Sequence, residues 1–125
     1  MLNQSGITKT SGISTKQILS APELAYTLSC KFANTGVTAV DGKKIIKAGT
    51  PVAGSLEARD TAFTVASGSD AIGVALHDVD VTDGTKNGTV CAFGFIDMGK
   101  LDTDVAALHT TAVRTALGTK ITYMK

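Results

Sequence analysis

Two histidines and several aspartates are the side chains that could take part in acid–base chemistry. His77 stands next to Asp78, a pair that could form an oriented general base. The surrounding alternation predicts a strand, however, and adjacent residues of a strand point to opposite faces. Asp97 and His109 are isolated, and no nucleophile lies at a spacing that known catalytic motifs use. The sequence therefore predicts that the chain is not an enzyme and has no catalytic residues.

The acidic stretch DVDVTDG has part of the pattern of a calcium loop. Asp78, Asp80 and Asp83 are spaced like carboxylate ligands. The sequence that follows, from 85 to 89, lacks the closing carboxylate that such a loop requires. Valines alternate with the first two aspartates, which favours the solvated face of a strand. We therefore expect structural acids here and no metal site.

The two cysteines, Cys30 and Cys91, both lie in apolar, strand-like segments. Neither belongs to a CxxC pair, and nothing in the sequence brings a histidine to either of them. Free cysteine commonly behaves as a small buried hydrophobic residue, so we expect two reduced thiols in the core. The glycines never form the GxGxxG or GxxxxGK patterns that cradle phosphates, and no cofactor is predicted.

Composition limits the class of protein. With 125 residues, 43% of them hydrophobic and 18% charged, the chain suits one folded domain rather than a disordered one. The net charge of +1 is spread along the chain, so we expect no nucleic-acid partner. No apolar run is long enough to cross a bilayer, and the N-terminus lacks the pattern of a signal peptide. We expect no membrane partner and a soluble protein that is not secreted.

The first twenty residues differ in composition from the rest of the chain. Ser, Thr, Gly and Asn dominate, and the apolar side chains are isolated. Such a segment buries too little apolar surface to offset its ordering entropy alone. The sequence therefore predicts an extended, flexible N-terminal arm over residues 1–20 and a single β-rich domain over residues 21–125. The arm either docks on a partner or neighbouring subunit or is a disordered terminus.

Alternation and turn residues predict the strands of the domain. Apolar residues recur at every second position from 24 to 32, which predicts a strand with one core-facing side. Asp41-Gly42 is a two-residue hairpin signal, and Asp83-Gly84 with Asn87-Gly88 marks a second hairpin loop. The strand that follows, from 90 to 95, is nearly apolar on both faces, as a central strand would be.

The C-terminal region changes to a helical period. Apolar residues at spacings of three and four predict one helix: Val105, Leu108, Ala112, Val113, Ala116 and Leu117. Asp102 is the expected N-cap, and Gly118 stands where a helix commonly ends. A final strand over 120–124 returns to the sheet or to a subunit boundary. The expected fold is mainly β (α+β), a small β-sandwich or partly open barrel with one C-terminal helix.

Three segments of the middle region resemble a known family. They are DGKKIIKAGTP over 41–51, AIGVALHDVDVT over 71–82 and GFID over 94–97. In order and in type they are similar to the head-decoration and head-fibre proteins of tailed bacteriophages, in which an AGTP turn precedes two such strands. The resemblance covers about half of the chain, from 40 to 101, and is carried by turn and strand residues.

The resemblance implies a structural virion protein on the outer capsid surface, made in the host bacterial cytoplasm. It implies a homotrimer that binds the major capsid protein and stabilises, or cements, the head. Some members of the family use an N-terminal arm for strand pairing with the capsid lattice. On that basis the expected capsid-binding residues of the arm are Leu2, Ile7, Ile13 and Ile18. Leu108 and Tyr123 are the expected trimer contacts.

A ligand-binding or carbohydrate-binding β domain, serving attachment to a host surface, is the alternative. Such a domain would expose aromatic side chains around a cleft. The chain has no Trp, two Tyr and four Phe, and several of these stand at core-like positions. The composition therefore favours the capsid protein over the carbohydrate-binding domain.

Overall fold

The computed structural model describes residues 17–124, and these residues form a mainly β fold, as the sequence predicts. The strands are β1 (Tyr26–Phe32), β2 (Ile45–Ile46), β3 (Pro51–Ala53), β4 (Thr64–Val65), β5 (Gly73–Ala75), β6 (Val79–Asp80), β7 (Lys86–Asp97) and β8 (Ile121–Met124). The helices are α1 (Thr103–Ala106) and α2 (Thr111–Leu117), with single 3-10 turns at Pro22–Leu24 and Met98–Lys100.

Strand β7 is the centre of the main sheet, whose strand order is β1-β7-β5-β3-β4. It pairs antiparallel with β1 along one side and with β5 on the other, and its C-terminal residues pair parallel with β8. Strands β2 and β6 form a separate antiparallel pair. The expected central strand and the expected return of the C-terminus to the sheet are both confirmed.

The main sheet curls until its two end strands meet at one point. Phe32, at the end of β1, forms a parallel bridge with Phe63, immediately before β4. The Phe63 amide donates to the Lys31 carbonyl at 2.7 Å, and the Ala33 amide donates to the Phe63 carbonyl at 2.9 Å. Along the rest of its outer edge, β1 has no strand partner among residues 17–124. The result is a partly open barrel.

Both faces of the sheet are buried, and each face has its own core. The barrel cluster fills the interior and consists of Cys30, Phe32, Ile46, Val52, Phe63, Ala75, Val79, Val81 and Val90. The helix cluster joins the sheet to the C-terminal helices and consists of Ile18, Leu19, Ala48, Ala71, Val74, Cys91, Ile96, Leu101, Val105, Val113, Leu117 and Ile121. Neighbouring residues of β7, such as Val90 and Cys91, enter different clusters because successive side chains of a strand alternate in direction.

One predicted hairpin is confirmed and the other is wrong, because β6 pairs with β2 and not with β7. Asp41 and Gly42 both have positive φ, at 54° and 80°, and Val40 and Lys43 exchange backbone hydrogen bonds across them. This is a type I′ turn. Asn87-Gly88 was expected in the second loop but lies inside β7. Gly88 is needed there because a Cβ at this position would lie 2.5 Å from the Phe32 ring.

The single C-terminal helix was a wrong prediction, because two short helices occupy its place. Residues 107–110 separate α1 from α2, and the Thr110 side chain accepts from the Val113 amide as the N-cap of α2. Asp102 makes no side-chain capping bond to α1. Its carboxylate lies 3.3 Å from Lys47 Nζ instead. The buried His109 occupies the break between the helices.

Two further expectations near the N-terminus need correction. Ile18, expected on a free arm, has no exposed surface and packs in the helix cluster. Residues 18–20 pair antiparallel with the end of β7, since the Asp97 amide donates to the Ile18 carbonyl and the Ser20 amide to the Phe95 carbonyl. Residues 1–16 lie outside the described residues. On β1, only Cys30 and Phe32 are fully buried, because the strand's first half extends beyond the barrel interior.

Candidate functional site

An open cleft of about 610 Å³ lies beside β1, on the side where the barrel is not closed. It is bordered by the end of β1, the start of β7 and the loop that leads from β3 to Phe63. Its lining residues are Ser29, Cys30, Lys31, Leu56, Glu57, Ala58, Arg59, Asp60, Asn87 and Gly88. Charges of both signs line it, so the cleft favours no simple ion. The cleft lies in the range of volumes that hold small ligands or short peptide segments.

One hydrogen bond crosses this cleft. The Arg59 guanidinium donates to the Ser29 carbonyl at 2.8 Å, and Arg59 itself is exposed. Cys30 is buried at the cleft's inner wall, and this burial raises the pKa of its thiol to about 11, against the opposing effect of Arg59. A thiol with so high a pKa is protonated at neutral pH and is a poor nucleophile. The arrangement is suited to binding rather than to thiol chemistry.

A second feature is an exposed apolar surface, the aromatic patch, formed by Leu24, Tyr26 and Phe93. Tyr26 and Phe93 are directly opposite each other in the pairing of β1 with β7. Tyr26 is 60% exposed and Phe93 is 48% exposed, while Leu24, just before β1, is 57% exposed. Directly paired side chains of a sheet lie side by side. An exposed cluster of large apolar side chains is typical of an interaction surface.

The third feature is a buried polar cluster around His109, which has 5% of its surface exposed. Its Nε2 lies 2.8 Å from the Gly49 carbonyl oxygen, and its Nδ1 lies 3.0 Å from the Tyr123 hydroxyl. Arg114 donates to the His109 carbonyl at 3.0 Å, and its guanidinium lies 4.5 Å from the centre of the Tyr123 ring. Burial lowers the pKa of His109, the Gly49 carbonyl opposes this, and Arg114 lowers it further. Both ring nitrogens are therefore occupied within the chain, and the cluster joins three segments of the fold.

The aspartates of the DVDVTDG stretch accept hydrogen bonds from nearby backbone and hydroxyl groups. Asp78 accepts from the Ala48 amide at 2.7 Å. Asp80 accepts from the Thr82 hydroxyl at 2.6 Å and from the Thr82 amide at 3.0 Å, and these bonds, the hydroxyl first, lower the pKa of Asp80. Among residues 17–124, no group of three or more histidines, cysteines or acidic residues could hold a metal ion.

The other residues that the sequence singled out differ in how accessible they are. His77 is exposed, and the two cysteines are free and buried, as predicted. Leu108 is 42% exposed, so its side chain is accessible, whereas the Tyr123 hydroxyl is bound by His109. Leu2, Ile7 and Ile13 lie outside the described residues. The structure does not bring Leu108 and Tyr123 to the cleft or to the aromatic patch.

Sequence reasoning missed both the cleft and the aromatic patch. The alternation over 24–32 assigned Tyr26 to the core, since periodicity gives the face of a strand but not where the opposing layer ends. The cleft depends on which strands fail to pair, a property that no local pattern records. A signal was present in the loop from 55 to 60, where Glu57, Arg59 and Asp60 stand close together without a strand or helix period.

No model of a known protein family matches the chain, and no curated protein matches it. Within residues 17–124, no helix has both the length and the apolar character needed to span a membrane.

Proposed function

We propose that this chain is a structural virion protein that binds the outer surface of a bacteriophage head as a homotrimer and stabilises it. The observation that carries the proposal is the aromatic patch on the central pair of strands, β1 and β7. Tyr26 and Phe93 lie on a rigid sheet, so little conformational entropy is lost when another surface covers them. The major capsid protein is the proposed partner.

The resemblance to decoration and fibre proteins supports the same proposal. Its three segments contain the Asp41-Gly42 hairpin, strands β2, β5 and β6, the first residue of β3, and the end of the central strand β7. They include the whole of the separate β2–β6 pair and part of the main sheet. A protein that binds only the assembled shell stabilises it by mass action, and many equivalent sites multiply the effect. No cofactor is required for this role.

Self-association completes the proposal. In a homotrimer, each contact repeats around a three-fold axis, so one exposed apolar side chain per copy contributes three times. Leu108 is the proposed trimer contact of the C-terminal region, because it is exposed at the break between α1 and α2. Tyr123 is the second proposed contact, and only the part of its ring that Arg114 does not cover can serve.

Binding to heads by matched surface variants tests the proposal. We expect Tyr26→Ser combined with Phe93→Ser to weaken cosedimentation with undecorated heads by at least about tenfold, as loss of a central aromatic contact would. Val40→Ser is the matched control, because Val40 is 67% exposed at the tip of a hairpin outside the patch. Equal binding by all three proteins would contradict a role for the aromatic patch.

The carbohydrate-binding alternative gains one observation from the structure. Tyr26 and Phe93 are exposed and adjacent, and aromatic faces of this kind can stack on apolar faces of sugars. Retention of the chain on a host-glycan array, lost in the double variant and kept in Val40→Ser, would favour this alternative. Absence of retention together with binding to heads would favour the capsid protein.

A further inference from the structure

We propose that the gap beside β1 is a strand-addition site, and that a segment from residues 1–16 of a second copy of this chain fills it. The inference deepens the self-association within the proposed function, and it does not depend on capsid binding. The added segment would complete the barrel at the cleft by pairing with the free edge of β1. Strand addition of this kind takes its affinity from backbone hydrogen bonds and its specificity from alternate side chains.

The pairing pattern shows which backbone groups of β1 are available. The carbonyls of Ser29 and Lys31 point away from β7, since one accepts from Arg59 and the other from Phe63. Residues of a strand alternate in the direction of their backbone groups. The amide and carbonyl of Thr27 and the amides of Ser29 and Lys31 therefore also point to the outer edge. Apart from the bond between the Phe63 amide and the Lys31 carbonyl, no other described strand pairs with that edge.

The cleft beside this edge has the form that an added strand requires. It continues from β1 across to the loop at 56–60, and the Phe32–Phe63 bridge closes it at one end. Among its lining residues, Leu56 is half-buried and packs against the barrel cluster, and Glu57, Arg59 and Asp60 are exposed. The Arg59 side chain crosses the gap to the Ser29 carbonyl. Because Arg59 is exposed, this hydrogen bond can be broken at a small cost in free energy. Charged side chains of this kind commonly protect free sheet edges.

The position of residue 17 favours a segment from another copy. Residues 18–20 run antiparallel to β7, so the chain leaves the described region beyond Asp97, at the end of β7 remote from the cleft. Ser29 pairs with Thr89, eight residues back along β7, which is roughly 27 Å at strand spacing. The chain's own segment would have to reverse direction and cover that distance before it could pair. A segment from a neighbouring copy is not tied to residue 17 of this chain and is therefore free of that constraint.

The sequence of the segment suits the site. Ile7 and Ile13 are six positions apart, so both would face the same side of an added strand, together with Lys9 and Ser11. On that side an isoleucine would contact Leu56, and Lys9 would lie near the acidic side chains of the cleft, Glu57 and Asp60. The residues between them are mainly Thr and Ser with one Lys, and β-branched threonine favours strands. The segment therefore presents two isoleucines and one lysine to a cleft whose lining includes Leu56, Glu57 and Asp60.

Photo-crosslinking of the full chain tests the inference. An aliphatic diazirine amino acid replaces Ile7, and equal amounts of light and nitrogen-15-labelled protein are mixed at low concentration and then concentrated. We expect cross-links to residues 27–31 or 56–60, with about half of them joining a light peptide to a heavy one, the statistical share for contacts between copies. Cross-links within one isotope only would show that the chain's own segment fills the gap. The proposal would be overturned by that result, by cross-links to other parts of the chain, or by the absence of cross-links.

A matched pair of variants tests the edge itself. Ser29→Pro removes an outward-pointing amide without removing a bond to β7, and proline is tolerated at such edge positions. We expect it to lower the cross-link yield about tenfold, because it loses a ladder bond and blocks close approach, while Ser29→Thr keeps the yield. Unchanged yield in a folded Ser29→Pro protein would overturn the proposal.

Amide exchange in the unsubstituted chain gives an answer that does not depend on a variant folding. The Ser29 and Lys31 amides should exchange about tenfold more slowly at high protein concentration than at low, while Leu28 and Cys30 stay unchanged. Equal rates at both concentrations would overturn the inference. Because no capsid is present, the exchange rates test self-association alone, and a failure of the chain to bind heads would not change them.

Discussion

His109 and Tyr123 are joined by a hydrogen bond of 3.0 Å between Nδ1 and the phenolic oxygen. The hydrogen bond on the opposite side of the imidazole ring sets the tautomer of His109. The Gly49 carbonyl can only accept, so Nε2 carries the proton, and Nδ1 accepts from the Tyr123 hydroxyl. The neutral imidazole thereby connects the turn before β3, the break between the helices and strand β8.

We predict that the chain loses stability in mild acid through His109. Burial holds the folded-state pKa of His109 below its ordinary value of 6.5, so the unfolded chain binds more protons below that pH. The contribution of His109 is fully present above about pH 6.5 and falls as the pH decreases toward the folded-state pKa. The charged groups that face it are Arg114, which opposes protonation, and Tyr123, which stays neutral in this range because burial raises its pKa.

Urea unfolding between pH 5 and 8 measures this effect. His109→Gln should reduce the pH dependence of the free energy of unfolding over that range. His77→Gln is the matched control, because His77 is exposed, and it should leave the dependence unchanged. Identical pH profiles for the unsubstituted protein and His109→Gln would contradict the account.

We predict that Tyr123→Phe destabilises the chain by about 1 kcal/mol, since it removes one buried hydrogen bond and leaves Nδ1 without its donor. The ring and its contact with Arg114 are kept, so the loss reports the hydroxyl. Tyr26→Phe serves as the control, because Tyr26 is 60% exposed, and should change the free energy of unfolding little. Equal effects of the two substitutions would argue against the His109 bond.

We predict that Gly88→Ala destabilises the chain by about 1–3 kcal/mol, the usual cost of overpacking a core. A Cβ at this position would lie 2.5 Å from the Phe32 ring and 3.0 Å from Val79. Phe32→Leu in the same chain should recover part of the loss, because the smaller side chain leaves room for the methyl group. Simple addition of the two single effects would contradict the proposed contact.

We predict that Cys30 and Cys91 react slowly with a thiol reagent at neutral pH in the folded chain. Both side chains are buried, and burial raises the pKa of each thiol. Both should react rapidly once the protein is unfolded in urea. Fast reaction of either thiol in the native protein would show that the barrel opens around it.

The sequence predicted those features that depend on local chemistry. Asp41 and Gly42 form the expected hairpin because both residue types tolerate positive φ, and the apolar residues on both faces of β7 predicted its place at the centre of the sheet. The break at His109 was missed, since the spacing of apolar residues over 105–117 fits one continuous helix, although Leu108 and Ala112 are exposed. His109, at the break, bonds to the Gly49 carbonyl, which is 60 residues away in sequence.

The candidate binding surfaces were harder to predict for the same reason. The exposure of Tyr26 depends on where the barrel interior ends, and the cleft depends on the lack of pairing between β4 and the part of β1 before Phe32. Both are properties of the assembled sheet. Only the mixed charges from Glu57 to Asp60 marked the cleft locally, and that pattern is common in solvated loops.

Cosedimentation of the full-length chain with expanded, undecorated phage heads tests the central claim most directly. The account predicts saturable binding in a fixed number of copies per head that is a multiple of three, together with greater resistance of the heads to heat. It also predicts weaker binding by the Tyr26→Ser, Phe93→Ser double variant than by Val40→Ser. Absence of saturable binding by the folded, unsubstituted chain would contradict a role in capsid decoration.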